Sequence, residues 1–468
     1  ADNDTIKINM QKEYVASSEY PILMELSKSS YHNNLKFRTR SVYFQGNQYE
    51  DKELPENVKS TLKMFPSHHQ KTVLIDYEVP HKAVGFVMEH NMLDNYWDDD
   101  SHISGNVLSP NKGKNVDTPL QDVSSIVSGE VLWYINRNFC QSWDRVSSEK
   151  LEEKRKALTF DKYPFNKSAG GTPLMAQILR TYDKPDIEDI KKIYLQNIKR
   201  VTSYIYTENQ YFRWPPLAEA FIKHWQNLRS KGRSANMPIH WFVVTNSSDD
   251  GLGKGTYTTN KMLEKLGRQD VMPNVALTHT DRIEFLEASL GNNHAQGSAS
   301  TIAKWKRELA ELKESQKQRS GTRERSYTKN AEEVREKEFV KKLKKELGVK
   351  VHVCTLTASN AWKEVYIHSK VTIIDDVFTV ISSANLNTRS MQVDTELGIF
   401  TENGAVARKL RKDLWKLHTR DLHKANNAAG KFDNVANPEG MNDPNIAKNA
   451  FKRWGELIKM NQDRIKEG

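Results

Sequence analysis

Two segments of this 468-residue chain repeat one arrangement of reactive side chains: His69, Lys71 and Asp76 in HQKTVLID, and His368, Lys370 and Asp375 in HSKVTIID. From 14 His, 70 Lys+Arg and 60 Asp+Glu, chance supplies about 0.3 matches to His-x-Lys-x-x-x-x-Asp, so two matches carry signal. A single copy would more readily be a satisfied strand-end histidine. Two copies, each running into an apolar β-branched stretch, read as duplicates of one unit. On a strand, residues two apart share a face, so each His projects together with its Lys. The Asp lies an odd number further on, off that face, where it can tie up the strand end or an adjacent loop. Two imidazoles and two ammonium groups brought together suit a phosphodiester. The lysines neutralise non-bridging oxygens, one His attacks phosphorus, and the other protonates the leaving alkoxide.

The elements that must position these groups are strands alternating with helices. Thr72–Ile75 and Ala83–Met88 read as apolar strands around the first copy. Val351–Leu356, Val371–Ile374 and Phe378–Ile381 do so around the second. Ser203–Tyr206 and Ile239–Thr245 are further strands, and Trp241–Val244 is apolar throughout, as a strand covered on both faces should be. Ile187, Ile190, Tyr194, Ile198 and Val201 recur at steps of three or four, which predicts an amphipathic helix over 187–201. Ile446, Phe451, Trp454 and Ile458 predict a last amphipathic helix after an Asn/Gly/Pro-rich stretch. This alternation argues an α/β fold.

The net charge of +10 is concentrated: residues 304–350 hold 16 Lys+Arg against 9 Glu and no Asp, which is +7 of the total. Trp305, Leu309 and Leu312, then Phe339, Leu343 and Leu347, space as two solvated helices around a polar hinge, with pairs such as Glu333/Lys337 in support. The basic balance is therefore no argument for a nucleic-acid partner. No apolar run approaches the roughly 20 residues of a spanning helix. Two cysteines, Cys140 and Cys354, exclude a disulfide framework and a Cys-based zinc site. GLGKGT at 251–256 lacks the Ser or Thr after Lys254 that a phosphate loop requires. The histidines outside the motif lack metal-ligand spacing, so no metal or other cofactor is expected to be required. Asp98–Asp100 and Asp249–Asp250 are the places where Ca2+ could stimulate, with solvated acidic turns the simpler reading. The chain opens at Ala1 without an initiator Met or a signal peptide, which points to a processed form or a domain of something longer.

With the flanks of both copies in view, the chain resembles the phospholipase D superfamily, of the double-motif, phospholipid-cleaving type. SSANLNTRSM carries Ser383 and Asn385 where that family has a small residue and an Asn holding phosphate oxygens. Glu396 in DTELGI lies where it has the acid that orients the motif His. In TPLQDVSSIVSGEVLWYINRNFCQSW, Asp122 takes the position of an Asp supporting the first His, with Gly129, Asn138, Phe139 and Trp143 matching structural positions. YTENQYF at 206–212 resembles the strand into the second lobe. One departure is clear: AVGFVMEHN replaces the usual Gly-Gly-x-Asn, so Met88 and Glu89 stand for small residues. Asn91, the best match for the first phosphate-binding Asn, comes five residues later than Asn385 does after its Asp.

The resemblance implies two similar α/β/α lobes related by pseudo-twofold symmetry, with the active site at their interface and the charged helical insert added. Residues 1–200 would form the first catalytic lobe and 201–423 the second, with the insert at about 304–350; a C-terminal tail and helix would follow over 424–468. It implies hydrolysis of phospholipid to phosphatidic acid and a free head group through a phosphohistidine, His69 attacking and His368 serving as acid and then base. Transfer to alcohols in place of water belongs to the same chemistry. The alternatives are a related endonuclease or phosphatidyltransferase. The expected partner is a phospholipid membrane surface, bound peripherally, and not nucleic acid. MLDNYWDDD is similar to bacterial members, including lipase effectors of type VI secretion, which implies a secreted enzyme acting on target membranes rather than a cytoplasmic one. A secretion-apparatus or immunity protein would then be a further partner.

Overall fold

The computed structural model describes residues 56–91, 98–105, 118–184, 186–247, 255–268, 348–420 and 433–467, with isolated positions at 38, 40–42, 49, 54, 96, 271, 306, 309, 310 and 313. The insert expected at 304–350 lies outside the described residues apart from scattered positions, as do Asp249 and Asp250.

Sixteen strands and nine α-helices are described. The strands are β1 (Thr72–Ile75), β2 (Val84–Met88), β3 (Leu120–Gln121), β4 (Ser124–Val127), β5 (Gln177–Tyr182), β6 (Ile187–Glu188), β7 (Tyr204–Asn209) and β8 (Phe212–Arg213). There follow β9 (His240–Val244), β10 (Lys350–Cys354), β11 (Leu356–Thr357), β12 (Glu364–Ile367), β13 (Lys370–Ile374), β14 (Phe378–Ser382), β15 (Leu386–Asn387) and β16 (Glu396–Thr401). The helices are α1 (Glu56–Met64), α2 (Val131–Trp143), α3 (Leu151–Lys154), α4 (Asp189–Asn197), α5 (Pro215–Ser230), α6 (Gly255–Lys265), α7 (Thr388–Gln392), α8 (Gly404–His418) and α9 (Pro444–Glu467).

An eight-stranded mixed sheet in the order β10-β9-β7-β13-β14-β16-β5-β6 forms the body. Its central strands are buried on both faces, and alternate side chains feed opposite cores. Trp241, Val243 and Ile205 join Tyr194, Leu217, Phe221 and Leu263 of α4, α5 and α6 on one side. Phe242, Val244, Tyr204, Tyr206 and Val371 join Leu414, Trp415, Ala447 and Trp454 of α8 and α9 on the other. The result is an α/β/α sandwich. Each such large side chain contributes roughly 1.5–3 kcal/mol when removed from water, which is why the all-apolar run at 241–244 settles at the centre. Pro215 and Pro216 start α5, where a missing N–H costs nothing. Asn403 caps α8 by accepting from Ala405 and Val406 N–H.

The first motif copy belongs to a second, smaller sheet, β1-β2-β4, antiparallel throughout. Helix α2 covers it through Leu132 and Ile135, and the shared core reaches Leu397, Ile178 and Ile399 of the large sheet. In place of the two similar lobes expected, the motif copies lie on sheets of three and eight strands, with β5 and β6 of the first half added to the edge of the large one. The helix expected over 187–201 is shorter. Ile187 pairs with Tyr182 in a hairpin, so α4 starts at Asp189, while Ile198 and Val201 are buried beyond its end.

Candidate active site

Both motif strands enter the site through a backbone link to the distant half of the chain. The His68 segment runs parallel to residue 395: His69 N–H donates to Thr395 O at 2.9 Å, and Thr395 N–H donates to Ser67 O at 2.9 Å. In the second copy, β12 runs parallel to β3, and His368 N–H donates to Gln121 O at 2.9 Å. Each motif His is thereby fixed to the residue immediately before the other half's acid.

The side chains complete this crossing. His69 Nδ1 lies 2.9 Å from Glu396 Oε2, and His368 Nδ1 lies 2.6 Å from Asp122 Oδ2. Asp122 therefore supports the second-motif His, not the first as the resemblance implied. Asp122 lies just before β4 and Glu396 opens β16, each the third strand of its own unit, and the two halves must interlock to put an acid behind an imidazole. Burial pushes Glu396 up, but His69, Lys71 and the Ser383 hydroxyl outweigh it and hold the carboxyl below the usual range. Burial also pushes Asp122 up, and the hydrogen bond and charge of His368, with Lys370, hold it down. An ionised carboxylate can only accept, so the proton on each imidazole sits on Nδ1 and leaves the Nε2 lone pair for chemistry.

The imidazoles differ in exposure. The His69 side chain is 29% exposed, whereas His368 is 2% exposed, with the Tyr96 ring 4.7 Å away. Burial and then Lys370 push His368 down to about 3, against the pull of Asp122, so its ring is neutral at physiological pH. Burial pushes Lys71 down to about 7, Glu396 opposing and Lys370 assisting. Lys71 Nζ is buried without a hydrogen-bond partner. Lys370 is fully buried, burial lowers its pKa, and its Nζ donates to His368 O.

The residue between His and Lys is anchored in both copies, which sequence reasoning missed. Gln70 exchanges hydrogen bonds with Asn138 of α2, at 2.8 Å from Asn138 Nδ2 to Gln70 Oε1, and donates to Glu396 O. Ser369 donates to the buried Glu208 of β7, which also accepts from Tyr206 and pairs with His418 at 3.1 Å. YTENQYF contains Glu208, but nothing in its spacing marks a buried hydrogen bond with a residue 210 positions away. Asn209, also in that run, is the register partner of Lys370; its Oδ1 accepts from Leu386 N–H, and its Nδ2 is buried without a partner.

Of the predicted phosphate-binding residues, Ser383 commits its hydroxyl to Glu396, and Leu397 N–H donates back to it at 3.1 Å. Asn385 is 5% exposed with Oδ1 unpartnered. Asn91 follows Glu89 by two residues, as Asn385 follows Ser383. The pairing Met88↔Ser124 in one unit matches Ser382↔Gly398 in the other, which puts Asn91 and Asn385 in equivalent places despite the longer first hairpin.

The motif aspartates stand apart from the reacting groups. Both adopt the left-handed backbone conformation that Asp tolerates, φ 51° at Asp76 and 53° at Asp375. Asp375 accepts from Thr202, Ser203 and Tyr204 N–H and stitches the far end of β13 to the start of β7. Asp76 is exposed at the matching turn. Five residues of strand place each roughly 16 Å from its Lys, so their part is structural. Asp98 is engaged by Leu120 N–H and His102, and among the described residues no three His, Cys, Asp or Glu side chains group to hold a metal.

A family model described as "Cardiolipin synthase, PLD-like domain" matches residues 312–418, which include the second motif. The chain is similar to phospholipase D alpha 2 of Oryza sativa subsp. japonica, 23% identical over 83% of this chain and 52% of that protein. It is also similar to phospholipase D alpha 1 of the same plant, 22% identical over 69% of this chain and 44% of that protein. The chain thus spans about half the length of the curated relatives it matches. Among solved structures, NucT from Helicobacter pylori matches 52% of this chain and 96% of its own, at 12% identity and a TM-score of 0.27.

Proposed function

We propose that this chain, a member of the phospholipase D superfamily, hydrolyses phospholipid phosphodiesters to phosphatidic acid and a free head group. The observation that carries the reading is the crossed site: two His–Lys pairs from distant segments, each imidazole backed by a buried acid of the other segment. His69, the more approachable ring, attacks phosphorus through Nε2. The P–O bond to the head group breaks, its electron pair leaves with the head-group oxygen, and His368 supplies the proton. His368 then takes a proton from water, whose oxygen displaces His69 from phosphorus. Lys71 and Lys370 neutralise the phosphoryl oxygens, with Asn91, Asn385 and the backed imidazoles completing the cradle. Because His368 is neutral in the empty site, it gains its proton as the anionic substrate enters.

Phospholipid is favoured as substrate by the flanks around Asp122 and Asn209 and by the names of the plant relatives. No helix among the described residues is long and apolar enough to cross a membrane. The proposed mode of contact is docking at the lipid surface. The proposal includes delivery to a target membrane, on the likeness of MLDNYWDDD to secreted lipases. The description of the matched family model favours a second reading, in which an alcohol replaces water and the phosphatidyl group is transferred.

The test is release of phosphatidic acid and head groups from mixed liposomes, with glycerol added in a parallel arm and plasmid DNA in another. His69→Ala and His368→Ala should each abolish turnover, and phosphate should be trapped on the His69 peptide. Phosphate on His368 would reverse the roles. DNA cleavage without lipid turnover would overturn the substrate, and normal rates in both variants would overturn the mechanism.

A further inference from the structure

Glu89 is fully buried beside the second motif, where the other half of the site carries a serine. The two positions share a strand register and one backbone hydrogen bond. Ser383 follows β14 and Glu89 follows β2, and the strand pairing is in the same register. Leu397 N–H, next after Glu396, donates to Ser383 Oγ at 3.1 Å; Val123 N–H, next after Asp122, donates to Glu89 Oε2 at 3.3 Å. Ser383 then donates its own proton to Glu396, the acid behind His69. At Glu89 the second oxygen, Oε1, is buried and makes no hydrogen bond of normal geometry, although the Lys370 backbone N–H also faces the carboxyl. A buried oxygen without a donor is costly unless it is itself a donor.

We propose that the Glu89 carboxyl is to Asp122 what the Ser383 hydroxyl is to Glu396: a hydrogen-bond donor that fixes the acid behind a motif imidazole, which makes Glu89 a positioning residue for His368. The proposal rests on the phosphodiesterase reading of the same site.

The charged surroundings agree with a proton on Glu89. Burial, with the negative charges of Asp122 and Glu208, pushes its carboxyl well above the usual range, and Lys370 opposes them. Tyr194 of α4 also faces it. Loss of that proton would set two carboxylates side by side in a dry site, remove the hydrogen bond to Asp122 and loosen His368. The proton also links folding to pH. A carboxyl raised in the folded state stabilises the fold fully at pH below its unfolded value, and that stabilisation is lost as pH rises towards the folded value.

The experiment compares wild type with Glu89→Gln, Glu89→Ser and Glu89→Ala, reading both the pH profile of kcat on a soluble nitrophenyl phosphodiester and Tm against pH from 5 to 8. Gln and Ser keep a donor that cannot lose its proton in this range. In both, the alkaline limb of kcat should move up by about one pH unit or more. Glu89→Ala should lower kcat about tenfold or more, with KM within about threefold. Wild-type Tm should fall with pH relative to Glu89→Gln. An unchanged alkaline limb in Glu89→Gln, or wild-type kcat in Glu89→Ala, overturns the proposal. If no form, wild type included, turns over any phosphodiester, the catalytic reading fails. The Tm comparison then still decides whether Glu89 holds its proton, and parallel Tm curves overturn that part as well.

Discussion

His69 and Glu396 are 327 positions apart in the chain and 2.9 Å apart in the site, and His368 and Asp122 repeat the relationship in the opposite direction. The acid behind each imidazole always belongs to the other half. Neither half contains a complete proton-handling pair. Glu396→Ala and Asp122→Ala should therefore each lower kcat by about 10²–10⁴, with little effect on KM. Steady-state kinetics on a soluble phosphodiester measures this, and a tenfold or smaller loss in either would remove that acid from its assigned role.

Lys71 is held at about 7 by burial, so in the empty site it loses its charge as pH rises through neutrality. Affinity for inorganic phosphate, measured by calorimetry, should weaken about tenfold per pH unit above that point. Lys71→Arg, which stays charged, should flatten the dependence. The sign for stability is the reverse. An unfolded chain keeps this proton to higher pH than the folded one does, so this group makes folding relatively more favourable as pH rises above about 7.

Gly398 pairs with Ser382 where β16 lies against β14 behind the site. A Cβ there would stand 2.6 Å from Ser382 Cβ and 3.1 Å from the backbone oxygen of Ile381. Gly398→Ala should cost roughly 1–3 kcal/mol of stability by overpacking. It should also lower kcat, because Glu396 and Ser383 flank the displaced segment. Thermal melting alongside kinetics checks both halves of this expectation.

Asp375 accepts from three consecutive backbone N–H groups, and Asp76 is exposed at the matching turn. Asp375→Ala should lower stability by about 1–3 kcal/mol through the donors it leaves unmet. Asp76→Ala should cost less than half as much. Denaturant titration of the two variants separates the cases, and equal losses would contradict the asymmetry.

The motif strands were legible in the sequence because a β-branched run between a polar start and an Asp-marked turn has one good solution, and β1 matches the expectation at Thr72–Ile75. The pairing of acid with imidazole was not legible. It depends on which distant strand ends meet, and spacing within 118–122 says nothing of residue 368. The same holds for Glu208 and His418, whose contact closes only when the end of α8 meets β7. Glu89 stood out as a departure from a small-residue pattern, but its partner and its proton needed the register of β2 against β4. The helix over 187–201 was overextended because helical periodicity cannot see that Ile187 completes a hairpin with Tyr182.

The crossed acids also set the moment at which the enzyme can begin to work. Once residues 1–200 have been made, His69 and Lys71 are present but the carboxylate that orients them is not, and His368 is still to come. Hydrolytic competence on the pathway proposed here can arise only once residue 396 has emerged and folded back onto the opening strands. On that pathway, a chain that ends before residue 396 lacks the acid behind His69 and the complete strand order that supports the second His–Lys pair, and would not turn over a phosphodiester.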